Sequence, residues 1–275
     1  MTRPHMPPNS LLSPLGGHLR DWNVAAREPL EERTSGRGLI VDLDDTLYAR
    51  EEYVQSGLLA VARHVEETRS VSAPEAFRVM TSSRHESQGR ELQTLCAHFG
   101  WDEAEVTELL AVYRAHRPCL RLPRDSSQVL SAVRRDGWRI AILTNGSPQV
   151  QRAKVAALGL GAYVDAVIYA DEHATGGKPS SLAFRAALNA LTVPASRCVC
   201  AGDDPLRDIA GARALGIRTV WITPGFGIGQ AASSPNVHLK ADARPSTTAD
   251  AQIASIADLP TVLAHLLDMV GTDAA

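Results

Sequence analysis

The segment Asp42-Leu43-Asp44-Asp45-Thr46 has the residue types and spacing best suited to chemistry. It follows the apolar run Gly38-Leu39-Ile40-Val41, so Asp42 and Asp44 stand two apart at a predicted strand end and can turn toward one site. Two carboxylates in one dry pocket repel each other, which costs stability unless a cation or a phosphoryl group lies between them. With a divalent cation present, one carboxylate can ligate the metal and attack phosphorus while the other carries a proton. An acidic loop at a strand's end would use the same residue types, and this segment alone leaves both readings open.

Other polar clusters also fall at the ends of apolar runs. Trp138 to Leu143 leads into Thr144-Asn145-Gly146, which offers a hydroxyl and the N–H groups of a helix start. Arg197 to Ala201 leads into Gly202-Asp203-Asp204, with Asp208 four residues further on. Lys178 follows Gly176-Gly177. The chain has 28 basic residues, of which only Lys154, Lys178 and Lys240 are lysine, so a lysine at such a place is not there by weight of composition. Taken singly, Lys178 also reads as a solvated loop residue, and Asp203, Asp204 and Asp208 as an exposed acidic turn.

The elements that must hold these residues follow from the same runs. Strands are predicted at 38–43, 138–143, 166–170, 197–201 and 217–222, with a last short one at 252–254. Their continuous apolar character suits strands buried on both faces. Helical stretches alternate with them, as where Ser147 and Pro148 make an N-cap and first-turn proline before Val150 to Leu158. The result is an α/β, Rossmann-like, doubly wound parallel sheet, with ligands expected at the carboxyl ends of its strands. Between the first two strands the pattern is helical only. Ser72 with Glu75 and Asp102 with Glu105 have capping-box spacing ahead of apolar helix faces. An insertion this long and this patterned is a small all-helical cap domain and not a loop. The domain division is therefore a mobile leader at 1–36 with a short helix near 20–27, a core at 37–47 and 123–270, and a cap at 48–122.

Val41-Asp42-Leu43-Asp44-Asp45-Thr46-Leu47 resembles the first motif of the haloacid dehalogenase-like (HAD) superfamily, Asp-x-Asp-x-Thr after an apolar strand. The other superfamily motifs follow in order: Thr144 ending Ile140 to Leu143, Lys178 in Gly176-Gly177-Lys178-Pro179, and Gly202-Asp203-Asp204-Pro205-Leu206-Arg207-Asp208. The resemblance covers about residues 37–260 and is closest to subfamily I members with a helical C1 cap, the phosphoglycolate phosphatase and nucleotidase-like enzymes. It implies an Mg²⁺-dependent phosphatase acting on a small phosphorylated metabolite, a sugar phosphate or nucleoside monophosphate, through an aspartyl-phosphate. Asp42 would be the nucleophile and Asp44 the acid and base. Thr46, Thr144, Asn145, Gly146 and Lys178 would contact the phosphate. Mg²⁺ would lie on Asp42, Asp203, Asp208 and the backbone carbonyl of Asp44, with Asp204 a possible further ligand. A phosphomutase of the same fold and a non-catalytic binding or regulatory descendant stay open. A dehalogenase is disfavoured, because it carries no carboxylate where this chain has Asp44. Ser180 stands where the family often has an acidic residue.

Composition excludes other classes. A formal charge of −3 offers no basic field for nucleic acid and no polybasic patch for a membrane surface. No apolar run is long enough to span a bilayer, and residues 1–20 lack the form of a secretion signal, so a cytoplasmic location is expected. The four cysteines have no Cys-x-x-Cys spacing. Cys198 and Cys200 should face one side of a strand as core thiols. Polar cap residues that could select a substrate are Arg50, Glu51, Tyr53, His64, Arg84, His85 and Arg90. Nothing in the sequence chooses between monomer and homodimer.

Overall fold

The computed structural model describes residues 36–82, 89–173, 177–223 and 249–268. The expected leader and its helix, Arg84, His85 and Gly176 lie outside these residues, Gly36 excepted. The strands are β1 (Arg37–Val41), β2 (Trp138–Thr144), β3 (Ala166–Tyr169), β4 (Cys198–Gly202), β5 (Arg218–Ile222) and β6 (Ala251–Ile253). Each sits within a residue or two of its predicted place. They form one sheet in the order β3-β2-β1-β4-β5-β6, with every neighbouring pair parallel. The chain runs outward from β1 through β2 to β3, then returns to β4 and runs the other way. The boundary between β1 and β4 is thus the topological switch point, where doubly wound sheets bind ligands.

The helices are α1 (Arg50–Thr68), α2 (Ala73–Ser82), α3 (Glu91–Phe99), α4 (Glu105–Ala115), α5 (Arg124–Arg135), α6 (Pro148–Ala157) and α7 (Ser181–Leu191). A π-helical turn at Pro205–Ala210 runs into Gly211–Arg213 as α8, and α9 is Leu259–Asp268. Alternate side chains of β1 are buried on opposite faces, as a period of two requires. Leu39 and Val41 pack with Val129, Leu130 and Val133 of α5 and Leu259 and Leu263 of α9. Ile40 packs on the other side with Phe184, Ala187 and Leu191 of α7. Cys198 and Cys200 share this second core while Val199 and Ala201 join the first, so both thiols are buried on one face as expected.

Helices α1 to α4 pack against one another around their own apolar cluster, including Leu58, Val61, Met80, Leu95 and Leu109. The start of α1 is fixed from the β1 loop: Asp45, at φ +60°, accepts from the Arg50 backbone N–H at 2.9 Å. Asp tolerates this left-handed backbone better than most residues, and its carboxylate satisfies a helix-start donor. Ser126 of α5 donates to the Leu47 carbonyl at 2.6 Å, tying the same loop to the core. The expected capping box at Asp102 and Glu105 is not made. Asp102 accepts from Ala104 N–H at 3.0 Å, whereas Glu105 is drawn to the Arg69 guanidinium of the neighbouring chain segment. A charge partner from another element outweighs the local cap. Among the described residues no helix is long and apolar enough to cross a membrane.

Phe184 is fully buried between α7 and the sheet. Phe184→Ala is expected to lower unfolding free energy by about 3–5 kcal/mol in urea titration, with the fold otherwise retained.

Candidate active site

The ends of β1, β2 and β4 lie side by side, and each delivers one part of the site. Asp42 directly follows β1, and its N–H extends the sheet pairing to the Ala201 carbonyl at 3.0 Å. That brings it beside Asp203, which follows β4, and Asp208 in the π-helical turn that precedes α8. One carboxylate oxygen from each of Asp42, Asp203 and Asp208 lies within 4.8 Å of the others. Lys178 bridges two of them, its Nζ donating to Asp42 Oδ1 at 2.5 Å and to Asp208 Oδ1 at 2.7 Å. Lys178, Asp42 and Asp208 are all buried.

The electrostatics follow from this crowding. Burial pushes the Asp42 carboxyl above its usual range. Lys178 pulls it back only in part, and Asp208 and Asp203 add repulsion. Asp203 is pushed up to about 6 by burial, then by Asp208 and Asp45. Burial by itself would lower Lys178, but its two carboxylate partners hold it above the ordinary lysine range. Three acidic oxygens sharing so small a space with one ammonium still carry excess negative charge. The donors are all carboxylate oxygens, with no thiol or imidazole among them, which suits a hard divalent cation.

Lys178 is itself held by Asn145. Asn145 Oδ1 accepts from the Lys178 N–H at 2.8 Å, and Nδ2 donates to the Lys178 carbonyl at 3.1 Å. Its side chain is therefore committed to this loop, and an Asn145 contact to phosphate falls to the backbone N–H. The loop needs glycine as well: Gly177 has φ +64°, and a Cβ there would lie 2.6 Å from both Asn145 Oδ1 and Asp171 Oδ1. The Lys178–Pro179 peptide is cis, and Ser180 caps α7, accepting from Leu182 N–H at 3.4 Å.

Asp44 points elsewhere. Its Oδ1 accepts from Tyr48 OH at 2.6 Å and Lys154 Nζ at 2.7 Å, and its Oδ2 from Gln151 Nε2 and Lys154 Nζ, both at 2.9 Å. Burial raises its carboxyl, yet the Lys154 charge and the bonds from Lys154, Tyr48 and Gln151 win, leaving it below the usual range. Lys154 in turn is lowered by burial against the pull of Asp44.

Several expectations change. The Asp44 carboxylate is not part of the acidic cluster, because three donors turn it away, and the metal contact expected of Asp44 remains its backbone carbonyl. Thr46 is buried with its hydroxyl 3.3 Å from Asp42 Oδ2 and 3.4 Å from Asp203 Oδ1. It braces carboxylates and is not on the cavity wall. Asp204 is an N-cap, accepting from Leu206 and Arg207 N–H at 2.9 Å, so its carboxylate serves the helix. Thr144 ends β2 as expected, but its buried hydroxyl already meets Gln151 Nε2 at 2.5 Å.

A cavity of about 920 Å³ opens above these groups. Asp42, Asp44, Thr144, Asn145, Gly146, Lys178, Asp203 and Asp208 line it. From the helical insertion come Arg50 and Tyr53, and also Tyr113 and Arg114, which sequence reasoning missed. Of the other cap candidates, His64 pairs with Glu108 at 3.0 Å and Glu51 accepts from Gln55 at 2.9 Å, neither on this wall. Arg90 lies outside it as well. Lys154 and Gln151 were also missed. The one sequence signal for Lys154 was the scarcity of lysine, and Gln151 had none.

Residues 37–216 match the family described as haloacid dehalogenase-like hydrolases. The chain belongs to that family. It is 32% identical to ribulose-1,5-bisphosphate 5-phosphatase of Halopiger xanaduensis over 203 residues, 68% of this chain and 84% of that protein. It is 33% identical to phosphoserine phosphatase of Thermus thermophilus over 132 residues, 48% of this chain but 53% of that protein, so it spans about half the length of that relative. The crystal structure of 2-haloacid dehalogenase from Pseudomonas syringae shares the fold, with TM-score 0.53 and 24% identity over 83% of this chain and 98% of that one. The parallel six-stranded sheet with its flanking helices is thus a HAD-type α/β fold.

The tightest steric constraint in the site is at Gly202. A Cβ there would lie 2.3 Å from Asp208 Oδ2 and 2.7 Å from its Cβ. Gly202→Ala is expected to displace the Asp208 side chain and cost about 1–3 kcal/mol in chemical denaturation.

Proposed function

We propose that this HAD protein is an Mg²⁺-dependent phosphatase that hydrolyses a small phosphorylated metabolite through an aspartyl-phosphate on Asp42. The observation that carries the reading is the separation of two carboxylates on one loop. Asp42 faces Lys178 and the acidic cluster, while Asp44 is held apart by Lys154, Gln151 and Tyr48 across the same cavity. A nucleophile and a proton carrier need this division, because each must act on a different side of the phosphorus atom.

Asp42, Asp203, Asp208 and the Asp44 carbonyl would hold the cation. When bound, Mg²⁺ supplies positive charge against the phosphoryl oxygens and relieves repulsion within the cluster. Lys178 neutralises a further phosphoryl oxygen and keeps Asp42 aimed. Asp42 forms a bond to phosphorus as the bond to the leaving oxygen breaks, and Asp44, which the negative charge of the bound phosphate favours in its protonated form, gives that oxygen its proton. Asp44 then takes a proton from the water that cleaves the acyl-phosphate. The Asp44 carboxylate favours a phosphatase over a dehalogenase, a distinction on which the shared fold is silent. The two proteins named above for their sequence identity are phosphatases, which supports the same chemistry.

A cavity of about 920 Å³ suits a small metabolite, and sugar phosphates and nucleoside monophosphates are the proposed substrate classes. The helical insertion acts as the cap that excludes water, with Arg50, Tyr53, Tyr113 and Arg114 as its contribution to the wall.

The test is phosphate release from a panel of sugar phosphates, nucleotides and glycolate-type phosphates, with and without Mg²⁺. Chelation with EDTA and Asp42→Asn are each expected to remove at least about a thousandfold of the activity while the protein stays folded by circular dichroism. Release that persists in Asp42→Asn would defeat the covalent mechanism. Asp203→Ala is expected to raise the Mg²⁺ concentration for half-maximal activity at least about tenfold.

A further inference from the structure

Lys154 belongs to none of the four sequence motifs, yet it is one of the most constrained side chains around the cavity. It lies on α6 three residues after Gln151, so both project from one face of the helix. Both are buried, at 5% and 1% exposure. Burying an ammonium is costly unless it is paired, and Lys154 is paired twice. Its Nζ spans both oxygens of Asp44, at 2.7 and 2.9 Å. Its other side faces the Tyr53 ring of α1, with Nζ 4.5 Å from the centroid, a cation–π contact with the helical insertion. Gln151 links the assembly to the phosphate side by bonding Asp44 Oδ2 and Thr144 Oγ1 with one amide nitrogen.

We propose that Lys154 is a positioning residue for Asp44, with Gln151 as its support: together they fix the carboxylate that serves the leaving oxygen. The inference rests on the phosphatase reading and on Asp44 as its proton carrier. Tyr48 and Gln151 each hold one Asp44 oxygen, but only Lys154 grips both, and a grip on both oxygens fixes the plane of the carboxylate as well as its place. In the first half-reaction the Asp42–phosphorus bond forms, the bond from phosphorus to the leaving oxygen breaks, and the proton passes from Asp44 to that oxygen. The Asp44 carboxylate left behind is the species Lys154 is placed to hold, in the orientation from which it next takes a proton from water. Because the ammonium also lies against Tyr53, this position is shared between the core and the insertion. The acid therefore has its geometry set by both.

Leaving-group dependence tests this without relying on overall activity. The kcat/KM of a phosphatase with a covalent intermediate reports steps up to enzyme phosphorylation. A p-nitrophenolate leaves without help from an acid, whereas an alkoxide needs its proton. In the full-length enzyme with Mg²⁺, Lys154→Met is expected to lower kcat/KM for the best alkyl phosphate about 10- to 100-fold more than for p-nitrophenyl phosphate. Asp44→Asn should show the same discrimination, more strongly. Equal losses on both substrates, or no loss, in Lys154→Met while Asp44→Asn discriminates would overturn the role of Lys154 and leave the phosphatase reading standing. Absence of discrimination in Asp44→Asn would overturn the acid assignment and this inference with it. Should Lys154→Met fail to fold, Gln151→Met keeps the charge and removes one Asp44 bond, and lack of discrimination there would equally overturn the proposal.

Discussion

Mutual repulsion among Asp42, Asp203 and Asp208 is the constraint around which the rest of the molecule is arranged. One oxygen from each lies within 4.8 Å of the others in a largely buried setting, where charges are poorly screened. One ammonium, Lys178, sits among them, and much of the nearby structure keeps it there: Asn145 grips its peptide, Gly177 lets the loop pass close, and Ser180 starts the next helix. Gly202 leaves room for the Asp208 side chain. A site with surplus negative charge and only oxygen donors fits the proposed pairing of a divalent cation with a phosphate, the physical requirement of phosphoryl transfer.

The sheet makes this possible through its order. Because β1 and β4 are neighbours at the switch point, residues more than 150 positions apart in the chain end on the same rim, with the first motif beside the fourth. The helical insertion leaves the core at the β1 end and returns to it at α5, so its first helix begins beside the loop at residues 42–46. Asp45 makes that coupling explicit, belonging to the loop yet capping α1. The result is a cavity with a charged floor from the core and an aromatic and arginine-bearing wall from the insertion.

Two lysines divide the floor. Lys178 attends Asp42 and the acidic cluster, and Lys154 attends Asp44. Each carboxylate of the first motif therefore has its own cation, and the two electrostatic environments differ: Asp42 lies above the usual carboxylate range and Asp44 below it. Neighbouring residues of one loop are driven apart in character by partners drawn from different helices and loops.

The sequence by itself determined the strands, the doubly wound class and the helical stretch between the first two strands, and it singled out Asp42, Asp44, Thr144, Lys178, Asp203 and Asp208, which line one cavity. These are legible because strand burial leaves continuous apolar runs, and because the chemistry sits where those runs stop. Tertiary structure alone decided the partners. Lys154 and Gln151 meet Asp44 across more than 100 residues of chain. Thr46 turns to carboxylates, Asn145 to the Lys178 peptide and Asp204 to a helix start. Tyr113 and Arg114 reach the cavity from the end of a cap helix whose orientation no local pattern encodes. Local spacing fixes which face of an element a side chain occupies, but a hydrogen bond or ion pair is chosen by whatever the packed fold brings within reach of that face.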